Sequence, residues 1–187
     1  MIAIPPHVID HALAALACQP SKILIAVDMA RPMTDKRMWV FDASDPKNPV
    51  LIQKDQVEHG YGSDPGKTGT ATVFGNTLGS GMTSLGLYTV GDPYIGKHGR
   101  SYFLTGLTPG KNDHATKRDI RLHPVHHPIR WSAGCLAVKA PVLPALEKEL
   151  GVLTGATVWV DGPGIKAPVC QCTAPKYWKA LPSWPTT

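Results

Sequence analysis

The 187-residue chain contains no apolar run approaching the roughly 20 residues that a membrane-spanning helix needs. Its start, Met1 to Gln19, has no basic segment ahead of an apolar core, and it carries Pro5, Pro6, Asp10 and His11 where a secretion signal would be apolar. If the protein is exported, the signal is therefore expected to have been removed before this numbering begins. Aromatic residues are few at 7%, and no basic run of five or more interleaves with them. Nucleic acid is excluded as a partner on that ground, although Lys+Arg 19 against Asp+Glu 14 leaves a formal net charge of +5. The four cysteines lack the paired spacing of a zinc ribbon, and no internal repeat marks a solenoid. What is abundant is Gly and Pro, 18 of each. That balance favours a loop-rich, strand-based domain over a helical bundle, at a length suited to one sizeable core.

Val8, Ile9, Ala12, Leu13, Leu16 and Ala17 recur at helical spacing behind Pro5 and Pro6, predicting one short amphipathic helix within residues 1–20 that packs on the domain. KILIAVD (Lys22–Asp28) and RMWVF (Arg37–Phe41) read as buried strands. The second is followed by the turn signal DASDPKNP and a partner strand over Val50–Val57, which together read as a hairpin. From Glu58 to Ser84 the composition shifts to Gly, Ser and Thr without periodicity. This is a long loop of the kind that carries function, with a short strand possible at Thr70–Phe74. Strands follow at Leu85–Val90 and Ser101–Leu107, with Gly91-Asp92-Pro93 read as a turn. Ile120–Val125 and Leu136–Val138 are further strands, Pro141–Leu150 is a helix stopped by Gly151, and Thr157–Val160 closes the core. The organisation expected is thus the helix of residues 1–20, a mainly β (α+β) domain over 21–161, and an irregular tail over 162–187.

The chemistry gathers in DIRLHPVHHPIRWSAGCLAV, Asp119 to Val138. Within the predicted strand Arg121, His123 and Val125 share one face, so the direction of His123 is fixed by the pleat. His126 and His127 fall in the loop that follows. Ser132-Ala133-Gly134 precedes Cys135 and forms a tight turn that presents the sulfur beside backbone N–H groups able to hold an oxyanion. A thiol becomes a competent nucleophile when an imidazole takes its proton, and a base works best on a rigid mount. Cys135 as nucleophile with His123 as general base is the expected pair. A zinc site built from His123, His126, His127 and Cys135 is the competing reading; its spacing is cramped, and no metal or other cofactor is expected. With Cys135 set aside, Cys170 and Cys172 are too close in sequence to bridge easily, leaving Cys18 to pair with Cys170 or Cys172 in an oxidising compartment.

With these segments in order, the chain resembles the L,D-transpeptidase catalytic domain family (YkuD-like), most closely its murein L,D-transpeptidase branch. The family hallmark is a strand His, a loop, then Ser/Thr-x-Gly-Cys, here His123 and Ser132-Ala133-Gly134-Cys135. KRMWVFD (Lys36–Asp42), SLGLY (Ser84–Tyr88), GKHG (Gly96–Gly99) and LTGL (Leu104–Leu107) match further segments, as do Asn112, Ala115 and Arg118. The resemblance covers about Ala12 to Val160. It departs at Ala133 and Pro124, where many relatives carry His and Gly, and in the shortened loop holding His126, His127 and Trp131.

The resemblance implies a β-sandwich-like domain with small helices that cross-links peptidoglycan stem peptides through a Cys135 thioester, in 3-3 or 1-3 register. It implies that His123 is the base, that Gly134 lends a backbone donor to the oxyanion, and that Ser132 supports the turn. His98, Tyr88, Arg121, Trp131, His126 and His127 are the expected substrate-binding residues. Peptidoglycan stems are the expected partner of a monomer in the periplasm or cell envelope. A peptidase or carboxypeptidase using the same pair, or a secreted antibacterial effector acting on peptidoglycan, is the alternative; a non-catalytic wall-binding module has no need of the thiol.

Overall fold

The computed structural model of the chain describes residues 3–170. Helix α1 (Pro6–Cys18) opens on proline, whose missing N–H falls where a helix has no internal acceptor to lose, and it buries Val8, Ile9, Ala12, Leu13, Ala15 and Leu16. Ten strands and one more helix follow: β1 (Ile23–Asp28), β2 (Met38–Asp42), β3 (Val50–Asp55), β4 (His59–Gly60), β5 (Gly86–Gly96), β6 (Gly99–Gly106), β7 (Arg121–Val125), β8 (Trp131–Ser132), β9 (Leu136–Lys139), α2 (Val142–Leu150) and β10 (Thr157–Asp161). Eight of the strands form one sheet in the order β3-β2-β1-β10-β5-β6-β7-β9, while β4 and β8 pair separately. β10 pairs parallel to β1, β7 parallel to β9, and the other neighbours in the sheet are antiparallel.

The alternation of side chains along each strand sorts the core into two. Ile23, Ile25 and Val27 of β1, Met38 and Val40 of β2, and Val158 and Val160 of β10 face one cluster. Leu24, Ala26, Trp39, Phe41 and Trp159 face the other, beneath α1. Buried on both faces, these strands read as continuous apolar runs rather than alternating ones. The first cluster also takes Leu136 and Val138 of β9, at the far side of the sheet from β2. α2 touches β3 at one edge and β7 and β9 at the other, so the sheet curls around Val142, Leu143 and Leu146. Beyond β3, the Glu58 N–H donates to the Ala137 carbonyl at 2.8 Å and ties that segment to β9.

The architecture is mostly β with two helices, as the sequence predicts. Two local readings are corrected. Gly91-Asp92-Pro93 is no turn: β5 runs through it with a register shift between Val90 and Pro93, and the hairpin reverses at Lys97-His98. A bulge lets a strand pass a proline that cannot donate to the ladder. Residues 70–74 form no strand, and the β4–β8 pair is too short to leave a periodic signal.

Cys18 is disulfide-bonded to Cys170, with a Cα–Cα distance of 5.1 Å, which fastens α1 to the end of the described chain. Cys172, the other expected partner, lies outside the described residues, as does most of the tail; within 162–170, Ile165 packs against both clusters. No helix among the described residues is long and apolar enough to cross a membrane. The bridge spans a sequence separation of 152. Replacing both its cysteines, Cys18→Ser with Cys170→Ser, is expected to lower unfolding stability by about 2–4 kcal/mol in denaturant titration. An unchanged midpoint would show that the bridge does not constrain the fold.

Candidate active site

The parallel register of β7 and β9 assembles the site. Leu122 lies opposite Leu136 and His123 opposite Ala137, so Cys135 falls just ahead of β9, beside Arg121. The backbone N–H of Arg121 points at the sulfur. The thiol is free and half-buried, and Sγ donates to the Asp119 carbonyl at 3.7 Å. His123 is 7% exposed, and its Nδ1 lies 3.1 Å from the carbonyl of Pro124. A carbonyl only accepts, so Nδ1 carries the proton and Nε2 is left as the bare, basic nitrogen. His98, from the β5–β6 turn, stacks on the His123 ring with centroids 4.3 Å apart and an interplanar angle of 23°. All three side chains line one cavity of about 520 Å³.

The turn before the sulfur is held from within and from outside. Ser132 Oγ donates to the Cys135 carbonyl at 2.8 Å and accepts the Gly134 N–H at 3.1 Å. Ser132 thus bonds to both sides of the turn, and the Gly134 N–H, expected to face an oxyanion, is committed to Ser132. Gly134 has φ +116°, and a side chain there would meet the Met82 carbonyl at 2.6 Å. Arg118 donates to the Gly75 carbonyl at 3.0 Å and also to Ser84 Oγ and the Met82 carbonyl, pinning the 75–84 loop against the turn. Its first role is therefore structural.

Burial sets the charge states. It pushes the Cys135 thiol up, against the pull of the Arg121 N–H. It pushes His123 down, against the bond to Pro124, and the nearby His98, Lys97 and His127 lower it further. Both shifts favour neutral partners, a thiol and an imidazole, over a resting thiolate–imidazolium pair. His98 is lowered by the same desolvation and by Lys97.

Of the other expected binding residues, Arg121, His127 and Trp131 line the cavity. The Arg121 guanidinium lies 4.1 Å from the Phe103 ring centroid and 4.7 Å from that of Tyr94, and it pairs with Asp119. His126 is exposed and does not line the cavity. Tyr88 is corrected: it belongs to the core, donates to the Ser84 carbonyl at 2.9 Å, and does not line the cavity. Among the described residues no three His, Cys, Asp or Glu side chains are placed to hold a metal ion.

The sequence reading missed a buried polar cluster behind the cavity. Arg37, wholly buried, donates to the Val57 carbonyl at 2.8 Å, to the Arg31 carbonyl at 2.7 Å and to His59 Nδ1 at 2.9 Å. Desolvation lowers Arg37 to about 10 and His59 to about 4, so His59 is neutral and its 3.8 Å approach to Asp64 is not an ion pair. Asp64 accepts from Thr68 and Gly69 backbone N–H groups at 2.9 and 2.7 Å and from the Trp131 indole at 3.0 Å. Desolvation pushes its carboxyl up, but these bonds outweigh it and hold the group below the usual range. The β4–β8 ladder sets His59 against Trp131 and Gly60 against Ser132. The composition shift at Glu58 was the visible signal; the partners lie too far along the chain to be read from it.

A curled β-sheet thus delivers a free thiol and a strand-mounted imidazole to one cavity. The chain belongs to the L,D-transpeptidase catalytic domain family, whose model matches residues 6–151. No curated protein gives a match. Among solved structures, the L,D-transpeptidase from Xylanimonas cellulosilytica aligns over 72% of this chain and 58% of its own, with 14% identity and a TM-score of 0.44. The helical cell shape determining protein Pgp2 from Campylobacter jejuni aligns over 77% and 44%, with 12% identity and a TM-score of 0.49. The L,D-transpeptidase from Mycobacterium smegmatis aligns over 72% and 56%, with 13% identity and a TM-score of 0.38. The chain thus spans only about half the length of the structures it matches.

Gly60 is where the 58–84 loop presses on the turn before Cys135: a side chain there would overlap the Gly81 carbonyl and stand 2.9 Å from Gly134. Gly60→Ala is expected to destabilise the protein by about 1–3 kcal/mol, read as a lowered melting temperature. Stability equal to wild type would show that the loop does not bear on the turn.

Proposed function

We propose that the protein is a peptidoglycan L,D-transpeptidase that joins stem peptides through a thioester on Cys135. The observation that carries this reading is the free thiol beside β7 and β9, sharing a cavity with an imidazole whose Nδ1 bonds the Pro124 carbonyl and leaves Nε2 for a proton. His123 Nε2 takes the thiol proton as Sγ attacks the donor's scissile carbonyl. The resulting imidazolium then gives that proton to the departing amine. An acceptor amine attacks the thioester, the C–S bond breaks, and the proton returns to sulfur through His123. The Pro124 carbonyl, by fixing the tautomer, is the group that orients the base. Lys97, Arg118 and Arg121 give the cavity a basic lining suited to stem-peptide carboxylates. The Cys18–Cys170 bond supports action outside the cytoplasm, at the cell wall.

Incubation with purified muropeptides tests the reading. Wild type is expected to yield cross-linked dimers whose masses give the register, 3-3 or 1-3, and Cys135→Ala is expected to yield none. Identical products from both proteins would end the Cys135 mechanism, and trimmed monomers alone would make the enzyme a peptidase. The pH profile adds a second check. Because His123 is lowered from 6.5, the acid limb of donor turnover should lie below that value, with a plateau by neutrality. Because the Cys135 thiol is raised and is deprotonated only during attack, no further rise should follow toward pH 9. A profile that climbs through the alkaline range would mean that a preformed thiolate attacks.

A further inference from the structure

The cavity lining is mostly cationic or neutral, and among the described lining residues the acids are Glu58 and Asp119. The two differ sharply. Asp119 has a side chain 72% exposed and paired with Arg121. Glu58 is 1% exposed, rigidly mounted by its N–H bond to Ala137 of β9, the strand that starts next to the nucleophile. Its Oε1 accepts the Arg130 N–H at 3.0 Å and lies 3.5 Å from His127 Nδ1, on a ring that donates to Pro128 at 2.8 Å and is 35% exposed. A carboxylate shielded from water at the wall of a basic cavity attracts a cation far more strongly than one in solvent.

Resting on the transpeptidase reading, we infer that Glu58 is the acceptor-side residue: it binds the ammonium of the incoming stem peptide and takes its proton. An ammonium is no nucleophile, and the reaction needs one N–H bond broken before the nitrogen can attack the thioester. The Glu58 carboxylate accepts that proton, and the free amine adds to the thioester carbonyl. The tetrahedral intermediate collapses with loss of the C–S bond, and the second amine proton leaves through His123 to the sulfur. Glu58 then returns its proton to solvent. Desolvation raises the Glu58 carboxyl, against the pull of the Arg130 N–H and of His127. This division of labour gives each half-reaction its own base: His123 for the thiol, Glu58 for the amine.

The test is Glu58→Gln, which preserves shape and an acceptor oxygen for the Arg130 N–H. Two readouts are needed: formation of the acyl-enzyme from a donor stem by intact mass, and its transfer either to an acceptor stem or to hydroxylamine, which is uncharged at neutral pH. The expected result is that acyl-enzyme still forms, transfer to the stem amine falls by at least about tenfold, and transfer to hydroxylamine persists. Equal loss toward both nucleophiles, or loss of acylation itself, would make Glu58 a structural brace of the 126–131 loop and overturn the inference. Full transfer to the stem amine by Glu58→Gln would overturn it as well. Absence of any acyl-enzyme in wild type would instead refute the transpeptidase reading on which the inference stands, and the inference would fall with it.

Discussion

The parallel pairing of β7 with β9 is the constraint from which the rest of the site follows. Parallel neighbours need a crossover, usually a dozen residues or more and often a helix. Here it is made by residues 126–135 alone, too short to bring a helix with it. The crossover must therefore run as an extended loop over the open end of the two strands, and it is this loop that carries His127, Trp131, Ser132 and Cys135. A loop cannot hold a side chain in a fixed direction without support. The support comes from the 58–84 segment, through the β4–β8 ladder, the Glu58–Arg130 and Asp64–Trp131 bonds, and the contact of Gly60 with Gly134. Arg118 closes the other side by gripping three acceptors around the same turn. The long, aperiodic stretch is thus the scaffold of the turn rather than a mobile covering.

The same enclosure decides the electrostatics. Shielding raises the thiol and lowers the imidazole, which favours the uncharged form of both. A preformed ion pair would be easier to titrate and easier to oxidise. Arg37 and His59 show the cost of the arrangement. A fully buried guanidinium is tolerated because two carbonyls and a neutral imidazole take its protons. Losing any of these partners would leave a buried charge unanswered.

Much of this was legible in the sequence because it is local. The apolar runs of β1, β2 and β10 announce strands buried on both faces, the pleat assigns His123, and Ser132-Ala133-Gly134-Cys135 announces the turn. Non-local facts were not legible. Tyr88 looks like a binding residue in SLGLY until the sheet curls and its hydroxyl finds Ser84. Asp64 and Trp131 are linked across a sequence distance that no motif spans. Gly91-Asp92-Pro93 has the composition of a turn, and only the opposing strand β6 makes it a bulge. Glu58 was hidden for the same reason: its environment is supplied by β9 and the crossover, both far downstream.

In the proposed reaction one sulfur would carry the acyl group between two stem peptides. Intact-mass analysis of the protein mixed with a donor stem peptide, followed by digestion, tests it most directly. The expected result is a transient acyl adduct confined to the peptide containing Cys135, discharged when an amine acceptor is added. An adduct on any other residue, or turnover of donor and acceptor with no adduct at Cys135, would contradict it.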